Sequence, residues 1–229
     1  QRTGIPMWRF SNSGTEAVMT AIRGARAFTN RDVIVRFTGS YHGAHEVFID
    51  PSSIGIPAAT AEVVVSIAQG SVEEFDDVMS TMGDKVAAVV IDLMPNRAGL
   101  IPADQSFVEH VRNVTKKHGS LLIVDEVITF RVHTGGMHKE YGIEPDLMTV
   151  GKIMGGGFPV GGLGGSVEIM QVFDPEKSKY VSLGGTFSAN PVTMIAGKVA
   201  LDYFKHDEVT RLNSLGDNLR EQLAASGVK

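Results

Sequence analysis

The feature that most constrains this chain is a repeated alternation. Short apolar runs, each four to seven residues long and apolar on both faces, are separated by segments whose apolar residues recur at helical spacing. A strand that is apolar on both faces must be covered on both, and a helix-length connection favours a parallel neighbour over a hairpin. The pattern therefore predicts an α/β fold, a mostly parallel sheet covered by helices. Strands are predicted at Val33–Phe37, Glu62–Ser66, Val86–Asp92, Leu121–Asp125 and Leu147–Val150, with a glycine-interrupted run at Val160–Gly165. Helices are predicted at Thr15–Phe28, Val72–Met82, Ser106–His118, Pro191–Phe204 and Glu208–Ala225. The chain changes character near His206–Asp207, which divides a large domain (1–206) from a more polar helix (207–229).

With 229 residues and 43% apolar side chains, the chain can bury a substantial core. A formal net charge of −5 without a Lys/Arg cluster argues against nucleic acid or an anionic membrane surface as a partner. No apolar stretch approaches the roughly 20 residues that span a bilayer, and QRTGIPMWRF lacks signal-peptide architecture. A cytoplasmic enzyme is the expectation. With no cysteine, the chain has no disulfides, thiolate metal sites or cysteine nucleophiles.

In parallel sheets ligands sit beyond the carboxyl ends of the strands. Asp125 ends LLIVD, and Lys152 follows LMTVG. An acid directly after four apolar strand residues is costly to bury without a cationic or hydrogen-bonding partner. A protonated pyridine nitrogen is such a partner, and a lysine in an apolar, glycine-rich setting is suited to attack an aldehyde. A Schiff-base lysine and a carboxylate on a pyridinium nitrogen are the pair that pyridoxal 5′-phosphate (PLP) requires. In SNSGTEA, the turn Ser13-Gly14-Thr15 opens a helix. It reads either as ordinary N-capping or as a phosphate site made of backbone N–H groups and hydroxyls.

Other chemistries lack their signatures. Ile153 stands where a Walker motif needs Ser or Thr, and neither GxGxxG nor GxSxG occurs. His42 and His45 have no zincin spacing and read as surface residues, so no metal site is expected.

The strings SNSGTEA (11–17), YHG (41–43), DEV (125–127), PDLMTVGKIMGGGFPVGGLGG (145–165) and GGTFSANP (184–191) resemble class III aminotransferases. They are closest to the branch holding glutamate-1-semialdehyde aminomutase and β-amino-acid aminotransferases. The resemblance implies the large domain of a three-layer α/β/α, fold type I PLP enzyme with most of its small C-terminal domain absent. It implies that Lys152 forms the Schiff base, Asp125 pairs with the ring nitrogen, and Ser13, Gly14 and Thr15 bind the phosphate. Tyr41, with His42 beside it, would stack on one ring face and Val127 would pack on the other. Gly185 and Thr186 would reach the phosphate of a neighbouring subunit, so a homodimer with shared sites is expected. The substrates would be small amino and keto or aldehyde compounds.

Departures from the family pattern bear on substrate. In place of Glu-Pro and a Gly-Asn or Gly-Gly turn, this chain has DLMPNRAG (92–99). Arg97 either binds a substrate carboxylate or points to solvent. ITFRV (128–132) lacks the glycine of TGFRV, and together with VFDP (172–175) it places an aminotransferase ahead of an aminomutase. A racemase or epimerase would keep every residue named. By family standards, further N-terminal and C-terminal segments are expected, and the stretch 48–61 is short.

Overall fold

The computed structural model describes residues 2–227. Seven strands form one sheet: β1 (Met7–Ser11), β2 (Val33–Phe37), β3 (Val64–Ile67), β4 (Val86–Ile91), β5 (Leu121–Asp125), β6 (Leu147–Gly151) and β7 (Gly161–Gly165). Their order is β1-β7-β6-β5-β4-β2-β3. The block β3-β2-β4-β5-β6 is parallel, and β7 runs antiparallel to both β6 and β1. The direction of β7 follows from its connection, because the segment 152–160 is too short for the crossover of a dozen or more residues that a parallel return needs.

The helices α1 (Gly14–Thr29), α2 (Ala58–Ala61), α3 (Val72–Met82), α4 (Gln105–His118), α5 (Val167–Met170), α6 (Pro191–Tyr203) and α7 (His206–Ala225) complete the fold. Alternate strand residues point to opposite faces and build two cores. On one face Val35, Phe37, Val89, Ile91, Leu122 and Val124 meet Phe75 and Met79 of α3 and Phe107 and Val111 of α4. On the other, Ile34, Ala88, Val90 and Ile123 meet Val18, Ala21, Ile22 and Ala25 of α1. The result is the expected three-layer arrangement, helices on both faces of a mostly parallel sheet.

Six predicted strands and five predicted helices appear with ends shifted by two residues at most; the strand expected at Glu62–Ser66 runs Val64–Ile67. The strand β1 is an addition. Its sequence MWRFS has no apolar run, and it pairs only with the glycine-rich β7, where a Cβ at Gly164 would lie 2.8 Å from the Trp8 ring.

Candidate active site

The strand order reverses between β2 and β4: the chain steps outward from β2 to β3, then returns to place β4 on the other side of β2. Such a switch point opens a crevice at the carboxyl edge of a sheet. The loop after β2 carries Tyr41 and His42, the end of β4 carries Asp92, β5 ends on Asp125, and Lys152 follows β6. The turn joining β1 to α1 supplies Asn12 to Thr15 at the same edge. All of these line a single cavity of about 250 Å³.

Asp125 is 5% exposed and held by three donors. His42 Nδ1 lies 2.7 Å from Oδ2, while the Thr149 hydroxyl and the Val127 N–H donate to Oδ1 at 2.9 and 3.1 Å. An ionised carboxylate only accepts, so Nδ1 of His42 carries the hydrogen in this pair. His42 is not the surface residue that its His-x-x-His spacing suggested. It is 3% exposed, its ring lies 4.9 Å from that of Phe48, and its Nε2 is buried without a partner. His45, half-buried, accepts from Val47 N–H instead.

Lys152 is exposed, makes no hydrogen bond or ion pair among the described residues, and has φ of 47°. The left-handed region is strained for a residue with a Cβ, and such strain concentrates at functional sites. The apolar burial expected around its amine is absent; Phe158, Pro159 and Val160 stand beside it on one wall of the cavity only.

Val127 forms part of that wall, wedged against two glycines. A Cβ at Gly14 would lie 2.9 Å from both its methyls, and one at Gly151 would lie 3.3 Å from Cγ1.

Both readings of the Ser13-Gly14-Thr15 turn find a counterpart. Ser13 caps α1 by accepting from Glu16 N–H at 3.2 Å, and Glu16 in turn accepts at 2.5 Å from the N–H of Asn12, the residue before the cap. The N–H groups of Gly14 and Thr15 have no acceptor among the described residues and open onto the cavity. The Thr15 hydroxyl accepts from Ala44 N–H at 3.4 Å. This approach requires Gly43, whose φ is 99° and where a Cβ would lie 2.7 Å from the Thr15 Cα.

Arg97 does not line the cavity. Its guanidinium stacks 4.5 Å from the centre of the Tyr41 ring and has no carboxylate partner among the described residues. Gly185 and Thr186 are exposed in a turn outside the cavity, close to it only where a Cβ on Gly185 would lie 3.3 Å from the Asn12 amide. Asp92 was not expected as a site residue. It is 3% exposed, Met94 N–H donates to it at 2.9 Å, and burial pushes its carboxyl up to about 6, with Asp125 and Glu126 adding to the shift and His42 opposing it. The signal was present in the sequence, since Asp92, like Asp125, directly follows an unbroken apolar strand. A larger cavity of about 680 Å³, between Trp8, Phe130, Met154 and Leu201, holds none of these residues.

A buried, hydrogen-bonded carboxylate and an exposed lysine at neighbouring strand ends thus line one cavity together with the first N–H groups of α1, a set able to meet both a cation and an anion. The chain belongs to the class-III aminotransferase family, whose model matches residues 2–229. It is 42% identical to a glutamate-1-semialdehyde 2,1-aminomutase from Haloquadratum walsbyi, over 94% of this chain and 50% of the relative. Among solved structures it resembles an omega-transaminase from Sphaerobacter thermophilus, with a TM-score of 0.93 and 40% identity over 96% of this chain and 55% of that one. A transaminase with PLP bound matches with a TM-score of 0.92 and 33% identity, over 97% of this chain and 56% of that one. The chain thus spans about half the length of the relatives it matches. No described helix is long and apolar enough to cross a membrane.

Proposed function

We propose that the protein is a PLP-dependent aminotransferase that moves an amino group from an amino acid or amine donor to a keto or aldehyde acceptor. One observation carries the reading: Lys152 and Asp125 line the same cavity, and Asp125 is fixed by His42, Thr149 and Val127 with its carboxylate towards that cavity. Bound there, PLP supplies an aldehyde carbon and an electron-accepting pyridinium ring.

The chain's residues do the rest. Asp125 holds the proton on the ring nitrogen. Lys152 Nζ would hold the cofactor, and its amine would serve to move a proton at the substrate carbon. The N–H groups of Gly14 and Thr15, at the positive end of α1, receive the phosphate, and the Ser13 cap keeps that turn open. Val127 supports one face of the ring and Tyr41, steadied by Arg97, the other. His42 stands behind Asp125 as its donor.

The resemblance to an omega-transaminase in fold and sequence supports transfer between two substrates. The aminomutase relative favours a second reading, in which the amino group returns to a neighbouring carbon of one substrate.

We further propose a cytoplasmic homodimer in which Gly185 and Thr186 complete the partner's site. In support, the Thr186 hydroxyl has no hydrogen bond among the described residues, and Phe187, Val192, Ile195, Val199 and Tyr203 expose a continuous apolar surface beside it. The division at residue 206 is consistent with α7, where Val209 is the one buried residue.

Borohydride reduction of the PLP-loaded protein followed by peptide mapping tests the core of the reading. The pyridoxyl group is expected on Lys152. Labelling at Lys177, Lys179 or Lys198 instead sinks it.

A further inference from the structure

We propose that Asp92 is a charge-balancing residue of the cofactor site, giving up a carboxyl proton to solvent when a cation settles against Asp125. The inference rests on the PLP reading above and assigns a role to a residue outside it.

Three polar groups meet at the floor of the cavity. Asp125 is 5%, Asp92 3% and His42 3% exposed. Asp125 takes His42 Nδ1, the Thr149 hydroxyl and the Val127 N–H, three of the roughly four positions a carboxylate offers. Asp92 has fewer donors. Its carboxyl takes the Met94 N–H, its backbone carbonyl takes the Gln69 amide at 3.1 Å, and no cation pairs with it among the described residues. The His42 imidazole is bonded at one end only, its Nε2 buried without a partner.

A buried nitrogen and a buried carboxyl that both lack full partners mark a cluster built for a different charge than the protein alone supplies. The groups facing Asp92 are Asp125 and Glu126 from β5, His42 from the loop after β2, and Lys152 and Tyr41 across the cavity. Glu126 is already matched, accepting from the N–H groups of Met137 and His138, from His138 Nδ1 and from the Thr129 hydroxyl.

Two close buried carboxyls do not both ionise cheaply. Without the cofactor, Asp92 keeps its proton up to about pH 6. Burial is the main cause holding that proton and the charge of Asp125 adds to it; a pyridinium on Asp125 removes that added part and favours the ionised form of Asp92. The O–H bond of Asp92 then breaks, the proton leaves to water, and the cluster exchanges one internal positive charge for another. No electron transfer or further reactant is involved. Cofactor affinity should therefore rise with pH up to about pH 6, by at most tenfold per pH unit from this group.

Proton-linked calorimetry reads the effect. The full-length protein is titrated with PLP at pH 5.5 and at pH 7.5, each in two buffers of different ionisation enthalpy, for the parent, Asp92→Asn and Asp92→Glu. At pH 5.5 the parent should release more protons per site than Asp92→Asn. Asp92→Glu should restore the release, and the difference should vanish at pH 7.5. A merely structural Asp92 would move stability without moving the proton count. Equal counts for parent and Asp92→Asn at pH 5.5 overturn the proposal. If Asp92→Asn does not fold, carboxyl carbon NMR of the parent decides: the Asp92 signal should titrate near pH 6 without PLP and at lower pH with it, and an unchanged titration overturns the proposal. A protein that binds no PLP at Lys152 overturns the functional reading and this inference with it.

Discussion

Thr149→Val removes one of the three donors that fix Asp125 and leaves the packing intact, because valine has nearly the shape of threonine. Thr149 is fully buried, its hydroxyl lies 2.9 Å from Asp125 Oδ1, and its backbone carbonyl separately accepts from Glu126 N–H at 2.8 Å. The substitution therefore deletes a single hydrogen bond to a charged acceptor. Such a bond contributes about 1.5–3 kcal/mol. For a chain of this size each kcal/mol corresponds to about 2–4 °C in Tm, so the melting temperature should fall by about 3 to 12 °C. Urea unfolding at neutral pH and calorimetry both measure the loss. PLP should still attach to Lys152, because His42 and Val127 continue to hold Asp125. Thr149→Ser is the control: it keeps the donor and loses a methyl, and should retain most of the stability. If Thr149→Val changes stability by less than about 0.5 kcal/mol, or if Thr149→Ser costs as much as valine, the hydroxyl is not holding the carboxylate and the account of Asp125 fails.

Asp125→Asn should leave the cofactor attached and lower turnover by about two orders of magnitude or more, since a neutral amide cannot hold the ring nitrogen protonated; near-normal turnover would remove Asp125 from that role. The Asp92 carboxyl, raised from 3.8 to about 6, keeps its proton in the folded chain where the unfolded chain has lost it. The cofactor-free protein should therefore lose about 3 kcal/mol of stability as pH rises from about 4 to 6, a dependence that Asp92→Asn should flatten and that denaturant titrations across this range would reveal. Thr186→Ala should weaken PLP retention by about 1.5–3 kcal/mol if its hydroxyl reaches a partner's phosphate. Equal retention in a sedimenting dimer would show that it does not.

What the sequence made legible is what burial on two faces imposes. Val33–Phe37, Leu121–Asp125 and Val72–Met82 were found to the residue, because a strand or helix packed on such a sheet has little freedom in where its apolar run starts and stops. Asp125 and Lys152 stood out for the same reason, as polar residues at the ends of such runs. The strand β1 was invisible because it is stabilised by its partner: Met7–Ser11 pairs antiparallel with Gly161–Gly165, which no local pattern connects to it. His42 read as a surface histidine because its burial depends on β2 and β5 being brought together through β4, a tertiary fact. Asp92 was legible but was weighed as part of an altered turn rather than as an acid closing a strand.

The pairing of β1 with β7 sets an order of events during synthesis. Met7 to Ser11 find their partners at Gly165 to Gly161, and a side chain on Gly161 would strike the Ser13 carbonyl, so β7 also shapes the turn that opens α1. Of the seven described strands, the one made first is thus among the last to dock. Until residue 165 has left the ribosome, β6 is an unpaired edge and the cofactor cavity has no wall on the side of Asn12 to Thr15. Contacts this distant in sequence form slowly, and unpaired edges recruit other chains. A nascent chain stalled before β7 should therefore be the species most in need of a chaperone, and its α1 the segment a protease reaches first.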